Sequence, residues 1–162
     1  SMASETTAAA TGAVGVVRRD SMAMKPFCGY NFADYWSHWL SFEGRVKQLP
    51  KIFHVNWFRQ DKDGKFLWPG FGDNLRVLSW IIDRCEGRAQ AQETPIGYLP
   101  RKEDLDLASL NLPESTVHQL LDLDYAAWHR EIDEIGKYLE EFGTRTPPAL
   151  REQYLKVKRA LG

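Results

Sequence analysis

Aromatic side chains are concentrated between Phe53 and Trp80. Seven of these 28 residues are Phe or Trp, about twice the aromatic fraction of 12% for the whole chain. The segment Phe66–Asn74, FLWPGFGDN, crowds three of these rings into a glycine-rich connection that leads into a helical pattern. Glycine lets a backbone approach a ligand closely, and a helix start offers free N–H groups. Since flat rings stack on nucleobases, the pattern suggests a nucleotide site, and its alternative is a packed corner of the protein.

Other chemistry-bearing residues form no recognisable catalytic set. The four histidines, His38, His54, His118 and His129, show no metal-ligand spacing, and the chain has neither a Walker phosphate loop nor a serine elbow. The paired acids Asp133-Glu134 and Glu140-Glu141 are interpreted as solvated charge on a helix. We therefore expect no catalytic residue and no metal ligand in this chain.

The elements that would position the aromatic segment can be read from periodicity. Aromatic residues at helical spacing predict a helix over Asn31–Phe42, with Asn31 suited to cap its start. The β-branched and aromatic run Lys51–Phe58, KIFHVNWF, predicts a buried strand. A polar turn is expected at Asp61–Gly64.

Further along, the sequence predicts mostly helix. A helix is expected over Asp73–Glu86, closed by Gly87, and a short strand over Thr94–Leu99. Apolar residues from Tyr125 to Phe142 alternate steps of three and four, and a final helix is expected to begin at Thr146-Pro147-Pro148. We expect the apolar stripes of all these helices to pack in a core. In the predicted helix Asp73–Glu86, this stripe consists of Leu75, Leu78, Ile82 and Cys85.

Composition limits the class of protein. With 162 residues, 43% hydrophobic and 27% charged, the chain is expected to form one globular unit of helix-rich α/β class. No apolar run is long enough to cross a bilayer, so no membrane partner is expected. The two cysteines show no paired spacing and no secretory signal precedes them, which favours the cytoplasm.

Charge is unevenly distributed along the chain. Residues 45–76 hold seven Lys/Arg against three Asp/Glu, whereas residues 101–142 hold eleven acids against four bases. The acidic, helical segment 101–162 argues against a nucleic-acid partner. An anionic ligand should favour the central segment.

Residues 3–17, ASETTAAATGAVGVV, contain no aromatic residue, no Leu and no Lys or Arg. Such a segment has little apolar surface to bury. It is either a frayed terminus or a loop that moves over a site.

Several motifs together resemble one enzyme family. HVNWFR (His54–Arg59), FLWPGFGDN (Phe66–Asn74), SETTAAATG and PFCGYN (Pro26–Asn31) have the order and spacing found near the carboxy terminus of GTP-dependent phosphoenolpyruvate carboxykinases. The resemblance runs from about Met2 to the end and is strongest up to Gly87. Members of this family are considerably longer, so residues 1–162 resemble the carboxy-terminal part of their GTP-binding domain.

The resemblance implies a reaction and a division of labour within the enzyme. The family is a lyase of gluconeogenesis that converts oxaloacetate and GTP to phosphoenolpyruvate, GDP and carbon dioxide, using manganese and a second divalent ion such as magnesium. Its metal ligands and phosphate loop lie upstream of the matched residues, so this chain alone should be inactive. The implied partners are the nucleotide, oxaloacetate or phosphoenolpyruvate, and the remainder of the parent enzyme.

The resemblance also implies roles for individual residues. Segment 53–74 would form the guanine pocket, in which Phe58, Phe66 and Phe71 form the walls, Asn74 reads the base, and Trp57, Gly72 and Asp73 lie beside them. Phe27 would lie at the edge of the substrate site. A mobile lid would comprise Thr6, Thr7, Ala8, Ala9, Ala10, Thr11, Gly12, Ala13, Val14, Gly15 and Val16.

Two readings from other classes stay open at this point. The aromatics Trp57, Phe66, Trp68 and Phe71 could form the surface of a non-catalytic module that binds a sugar or a peptide. Alternatively, all the rings belong to the core of a purely structural segment.

Overall fold

The computed structural model describes residues 19–20 and 24–162. Five α-helices and one two-stranded antiparallel sheet are found among these residues, which confirms the helix-rich α/β expectation. The helices are α1 (Phe32–Leu40), α2 (Asn74–Cys85), α3 (Glu114–Leu121), α4 (Tyr125–Glu140) and α5 (Pro148–Leu161). The strands are β1 (Gln92–Thr94) and β2 (Gly97–Leu99).

The chain divides into two compact units. Among the described residues, one comprises residues 19–20, 24–49 and 125–162, and we call it the helical unit. The other comprises residues 50–124, and we call it the central unit.

The core of the helical unit is built on α1. Asn31 caps this helix as expected, since its side-chain oxygen accepts a hydrogen bond of 2.9 Å from the Ala33 N–H. Phe32, Ala33 and Trp36 are buried. The residues packed around them come from α1, α4, α5 and neighbouring loops: Met24, Cys28, Tyr35, Trp39, Tyr138, Leu139, Phe142 and Leu150.

Helices α4 and α5 pack closely against each other. A methyl group added at Gly136 would lie 2.7 Å from the Tyr154 hydroxyl, so any side chain there would make the Tyr154 ring shift. Lys158 pairs with Asp133 at 2.7 Å across the two helices. The connection is held by buried Thr146, whose hydroxyl donates to the Leu139 carbonyl at 2.7 Å. Both helices begin where the sequence predicts.

In the central unit, the predicted strand Lys51–Phe58 is wrong. The segment has no regular secondary structure over residues 51–56, and within the central unit no described strand pairs with it, although partly buried Phe53, Val55 and Trp57 alternate with exposed neighbours. Without a partner, an extended chain has no ladder of hydrogen bonds. The Asn56 side chain then accepts a bond from the Phe58 N–H at 2.9 Å and turns the chain.

The second strand prediction is also corrected. The turn at Pro95-Ile96 splits the predicted Thr94–Leu99 strand into the hairpin of β1 and β2, in which Thr94 pairs with Gly97. Proline fixes its backbone angle for such a turn and cannot donate to a ladder. Helix α3 lies within segment 101–162, which the sequence predicts to be helical without giving this helix bounds of its own, and Val117 within it is buried.

Helix α2 is confirmed, but its predicted burial is wrong. Leu75, Leu78, Ile82 and Cys85 are exposed, and Trp80 is the residue of this helix that is buried. The ring of Phe53 packs edge-on against Trp80, with centroids 6.1 Å apart. The apolar stripe therefore predicts correctly that a helix forms, but it predicts wrongly that these side chains are buried.

Candidate functional site

A tight hairpin in the central unit brings Phe58 and Phe66 together. The Leu67 N–H donates to the Arg59 carbonyl and the Asp61 N–H to the Lys65 carbonyl, both at 2.9 Å. The turn between these bonds is the predicted Asp61–Gly64, where Gly64 has a φ of 78°. The Phe58 and Phe66 ring centroids consequently lie 6.0 Å apart, with the ring planes at 65°.

The two exposed rings are followed along the chain by two buried residues. Phe58 and Phe66 are exposed, whereas Leu67 and Trp68 are buried. Further along, Phe71 is 92% exposed and lies in a short 3-10 turn, Phe71–Asp73. The segment is thus anchored by two side chains and presents three phenyl rings to solvent, so these rings are not part of the core of this chain.

Gly70 shapes the approach to this turn. Its φ of 132° lies in a region that residues with a side chain rarely adopt, so glycine is required there. At Gly72, an added methyl group would meet nothing within 4 Å. The backbone beside Phe71 is therefore open to a flat ligand.

Asn74 and Asp73 occupy the start of α2 with different partners. The indole Nε1–H of Trp68 donates to Asn74 Oδ1 at 2.8 Å. Asp73 pairs with Arg76, Oδ1 to Nε 3.1 Å, and Arg76 in turn donates to the Ser109 hydroxyl at 2.7 Å. Asp73 is the N-cap residue of α2, and its side chain makes no capping hydrogen bond.

The two tryptophans of the segment pack on each other. The Trp57 and Trp68 ring centroids are 6.0 Å apart, with planes at 44°. Trp68 is therefore an interior anchor, and the sugar-binding or peptide-binding surface that the sequence offered as an alternative loses this ring. Sequence reasoning missed the bond from Trp68 to Asn74. Its signal was an indole donor six residues before an amide in a glycine-rich connection.

The basic residues of the segment differ in whether the protein already binds their side chains. Arg59 donates to the carbonyls of Asp122, at 3.1 Å, and Leu120, so it ties the hairpin to the end of α3. Lys62 and Lys65 are exposed. These two lysines are the cations of the hairpin that remain accessible to an anionic ligand.

The remaining predicted site residues lie in other parts of the chain. Phe27 is exposed in the 3-10 turn Lys25–Phe27 of the helical unit. The predicted lid, residues 6–16, lies outside the described residues. Within residues 19–20 and 24–162, no three His, Cys, Asp or Glu side chains come together as metal ligands. Among the helices of this same part of the chain, none is long and apolar enough to cross a membrane.

Comparison with known proteins identifies the family. Residues 1–160 match the family model of the phosphoenolpyruvate carboxykinase C-terminal P-loop domain, of the GTP type. The chain belongs to the GTP-dependent phosphoenolpyruvate carboxykinase family. This confirms the resemblance carried by the aromatic motifs.

Three curated relatives bear the name phosphoenolpyruvate carboxykinase [GTP]. The protein of Neocallimastix frontalis is 54% identical over 153 residues, covering 93% of this chain and 25% of the relative. That of Chlamydia pneumoniae is 50% identical over 99% of this chain and 27% of its own length. That of Renibacterium salmoninarum is 51% identical with the same coverage of each. The chain thus spans about a quarter of the length of these carboxykinases.

Proposed function

We propose that this chain is the guanine-binding part of an enzyme that converts oxaloacetate and GTP to phosphoenolpyruvate, GDP and carbon dioxide. Membership of the carboxykinase family supports this reaction, and the names of the relatives, which specify GTP, support the choice of nucleotide. The chain covers a quarter of those relatives, so the rest of the enzyme is proposed to complete the catalytic centre. Manganese and magnesium are proposed to bind there, outside this segment.

The observation that carries the proposal is the exposure of three rings on an anchored loop. Phe58 and Phe66 form an edge-to-face pair, and Phe71 follows on a turn whose backbone is open. A purine that stacks on such rings gains about 1 to 3 kcal/mol per stacked base. Lys62 and Lys65 supply positive charge on the same hairpin, which suits an anionic nucleotide.

Asn74 is proposed to read the base. A carboxamide can donate to the guanine O6, whereas adenine presents an amino group at the same position. Trp57, Gly72 and Asp73 are proposed to support this arrangement. Asp73 does so through its pair with Arg76, which ties the start of α2 to the loop at Ser109.

The lid and the substrate edge complete the proposal. In the whole enzyme, loss of carbon dioxide from oxaloacetate leaves an enolate that must receive phosphate before water protonates it. We propose that residues 6–16 close over the site during this step and that Phe27 lies at its edge. We also propose a cytoplasmic location, which is consistent with the two free cysteines, Cys28 and Cys85.

A direct binding assay on the full-length enzyme tests the base assignment. GTP should bind at least about tenfold more tightly than ATP, since discriminating hydrogen bonds are worth about 1 to 3 kcal/mol each. Asn74→Asp should lose part of this preference, because a carboxylate cannot donate. Equal affinities of the wild-type protein for the two nucleotides would contradict the proposal.

A fluorescence titration separates this function from a sugar-binding or peptide-binding module. The tryptophan emission of this chain is followed while GDP, a simple sugar or a proline-rich peptide is added. The proposal predicts a response to GDP alone, and a response to the sugar or the peptide would favour the other class.

A further inference from the structure

The bond between Trp68 and Asn74 determines which way the Asn74 carboxamide faces. The distance from Nε1 to Oδ1 is 2.8 Å, and the Trp68 side chain is buried with 8% exposure. An indole nitrogen is a donor only, so the Asn74 atom that faces it must be the oxygen. The Asn74 NH2 group therefore lies on the side of the carboxamide away from Trp68.

A flipped carboxamide would be strongly disfavoured. Rotation by half a turn would set the NH2 against the indole N–H, and two donors would then face each other. A buried donor that loses its acceptor carries a desolvation penalty. Packing of Trp57 against Trp68 holds the indole ring in place, so the donor stays aimed at Asn74.

We propose that Trp68 is a positioning residue for base selection. Through its N–H it holds the Asn74 amide in the orientation that presents a donor, and this orientation favours purines with a 6-oxo group over purines with a 6-amino group. The inference rests on the proposed function, because it assumes that Asn74 meets the base. It adds that base preference depends on a buried indole that need not touch the nucleotide.

The test replaces the indole without emptying its site. Trp68→Phe keeps an aromatic ring and removes the N–H. GDP, IDP and ADP are titrated by calorimetry into the full-length wild-type and variant enzymes. IDP shares the 6-oxo group of GDP and lacks its 2-amino group, so it isolates the contact at position 6.

We expect the preference for GDP over ADP to fall about tenfold in Trp68→Phe, the size of one discriminating contact. IDP should weaken by the same factor as GDP, and ADP should bind as well as before or better. A merely structural role would weaken all three nucleotides together, and that result would overturn the proposal.

Trp80→Phe is the matched control. Trp80 is also a buried indole of the central unit, and its Nε1–H donates to the Gln90 carbonyl at 3.2 Å, away from Asn74. This variant should lose stability and keep the wild-type preference for GDP over ADP. A changed preference in Trp80→Phe would show that loss of any buried indole donor alters the site, and would also contradict the proposal.

A second replacement covers the case in which Trp68→Phe does not fold. Incorporating 3-benzothienylalanine at position 68 keeps the shape of the side chain and exchanges the N–H for sulfur. The same fall in preference is expected. If wild-type enzyme does not prefer GDP to ADP, the proposed function itself fails. If wild type prefers GDP and a folded replacement keeps that preference, the role of Trp68 alone is refuted.

Discussion

Helices α4 and α2 both carry apolar side chains at steps of three and four residues, yet they place them in different surroundings. In α4 of the helical unit, Ile132 is 4% exposed. In α2 of the central unit, Ile82 is 52% exposed, and Leu75 and Leu78 are exposed with it. Periodicity therefore predicts that a helix forms, because it reflects local geometry, but it does not predict what covers the helix.

The two units also use aromatic residues differently. In the helical unit, Trp36 packs between Phe32 and Phe142, with ring centroids at 5.4 and 4.7 Å. The central unit buries two indoles and leaves the phenyl rings of its motif exposed. Clustered rings thus build a core in one region and a surface in the other.

Two isoleucine substitutions, one in each helix, are expected to differ most in their effect on the free energy of unfolding. Ile132→Ala should lower the free energy of unfolding of this chain by about 2 to 5 kcal/mol, as for other buried isoleucines. Ile82→Ala should change it by less than about 0.5 kcal/mol, because an exposed side chain has little burial to lose. Urea denaturation of both variants measures the difference.

The same two variants in the full-length enzyme show whether another part of the enzyme covers α2. If Ile82→Ala costs as much there as Ile132→Ala, the exposed face of α2 is covered by another part of the enzyme. An equal cost in this chain by itself would instead mean that the stripe of α2 is core.

Paired phenylalanine substitutions separate surface rings from packed ones. Phe71→Ala should weaken GDP binding to the full-length enzyme by about 1 to 3 kcal/mol, the value of one stacked base. It should leave stability nearly unchanged, because the ring is exposed. Phe53→Ala should cost stability, roughly 2 kcal/mol, since its ring packs on Trp80 but is only partly buried.

Calorimetric titration and thermal denaturation of both phenylalanine variants provide the two readouts. Stability lost at Phe71 together with affinity lost at Phe53 would reverse the assignment of surface and packed ring.

Gly136→Ala tests how tightly the helical unit is packed. The added methyl group would lie 2.7 Å from the Tyr154 hydroxyl, so Tyr154 or α5 must shift. Overpacking costs about 1 to 3 kcal/mol, and the better helix propensity of alanine offsets about 1 kcal/mol of it. We expect a net loss of up to about 2 kcal/mol in chemical denaturation.

Gly29→Ala is the control for this substitution, because a methyl group there meets nothing within 4 Å and the φ of Gly29 is not positive. Its stability should stay close to that of the wild type. A stabilised Gly136→Ala variant would show that α4 and α5 tolerate more separation than their contact suggests.

The smallest expected effect concerns Tyr138. Burial, together with the negative charges of Asp20 and Glu141, raises the pKa of Tyr138 from 10.0 to about 12. Among the described residues, none forms a hydrogen bond with its hydroxyl. The folded chain keeps this proton after the unfolded chain has lost it, so stability should fall as pH rises from 10 to 12.

Tyr138→Phe should be close to neutral at pH 7 and should lose less stability than wild type above pH 10. Thermal denaturation at several pH values between 8 and 11 measures this. Tyr125→Phe, which removes an exposed hydroxyl from the same helix, is the control. An unchanged alkaline profile in Tyr138→Phe would refute the assignment.

Much of the fold could be predicted because its signals are local. Asn31 caps α1, Gly87 ends the pattern of α2 with a φ of 75°, and Pro147-Pro148 opens α5. The aromatic motifs likewise identified the family from sequence alone. These features depend on residues that are close together in the sequence, so they can be predicted from the sequence alone.

Other features depend on residues that are distant in sequence, and the tertiary structure decided them. Lys51–Phe58 has the composition of a strand, but a ladder needs a partner. The stripe of α2 has the period of a core helix, but burial needs another element against it. The direction of the Asn74 carboxamide needs a buried donor at a set distance, and only folding places the Trp68 indole 2.8 Å from it.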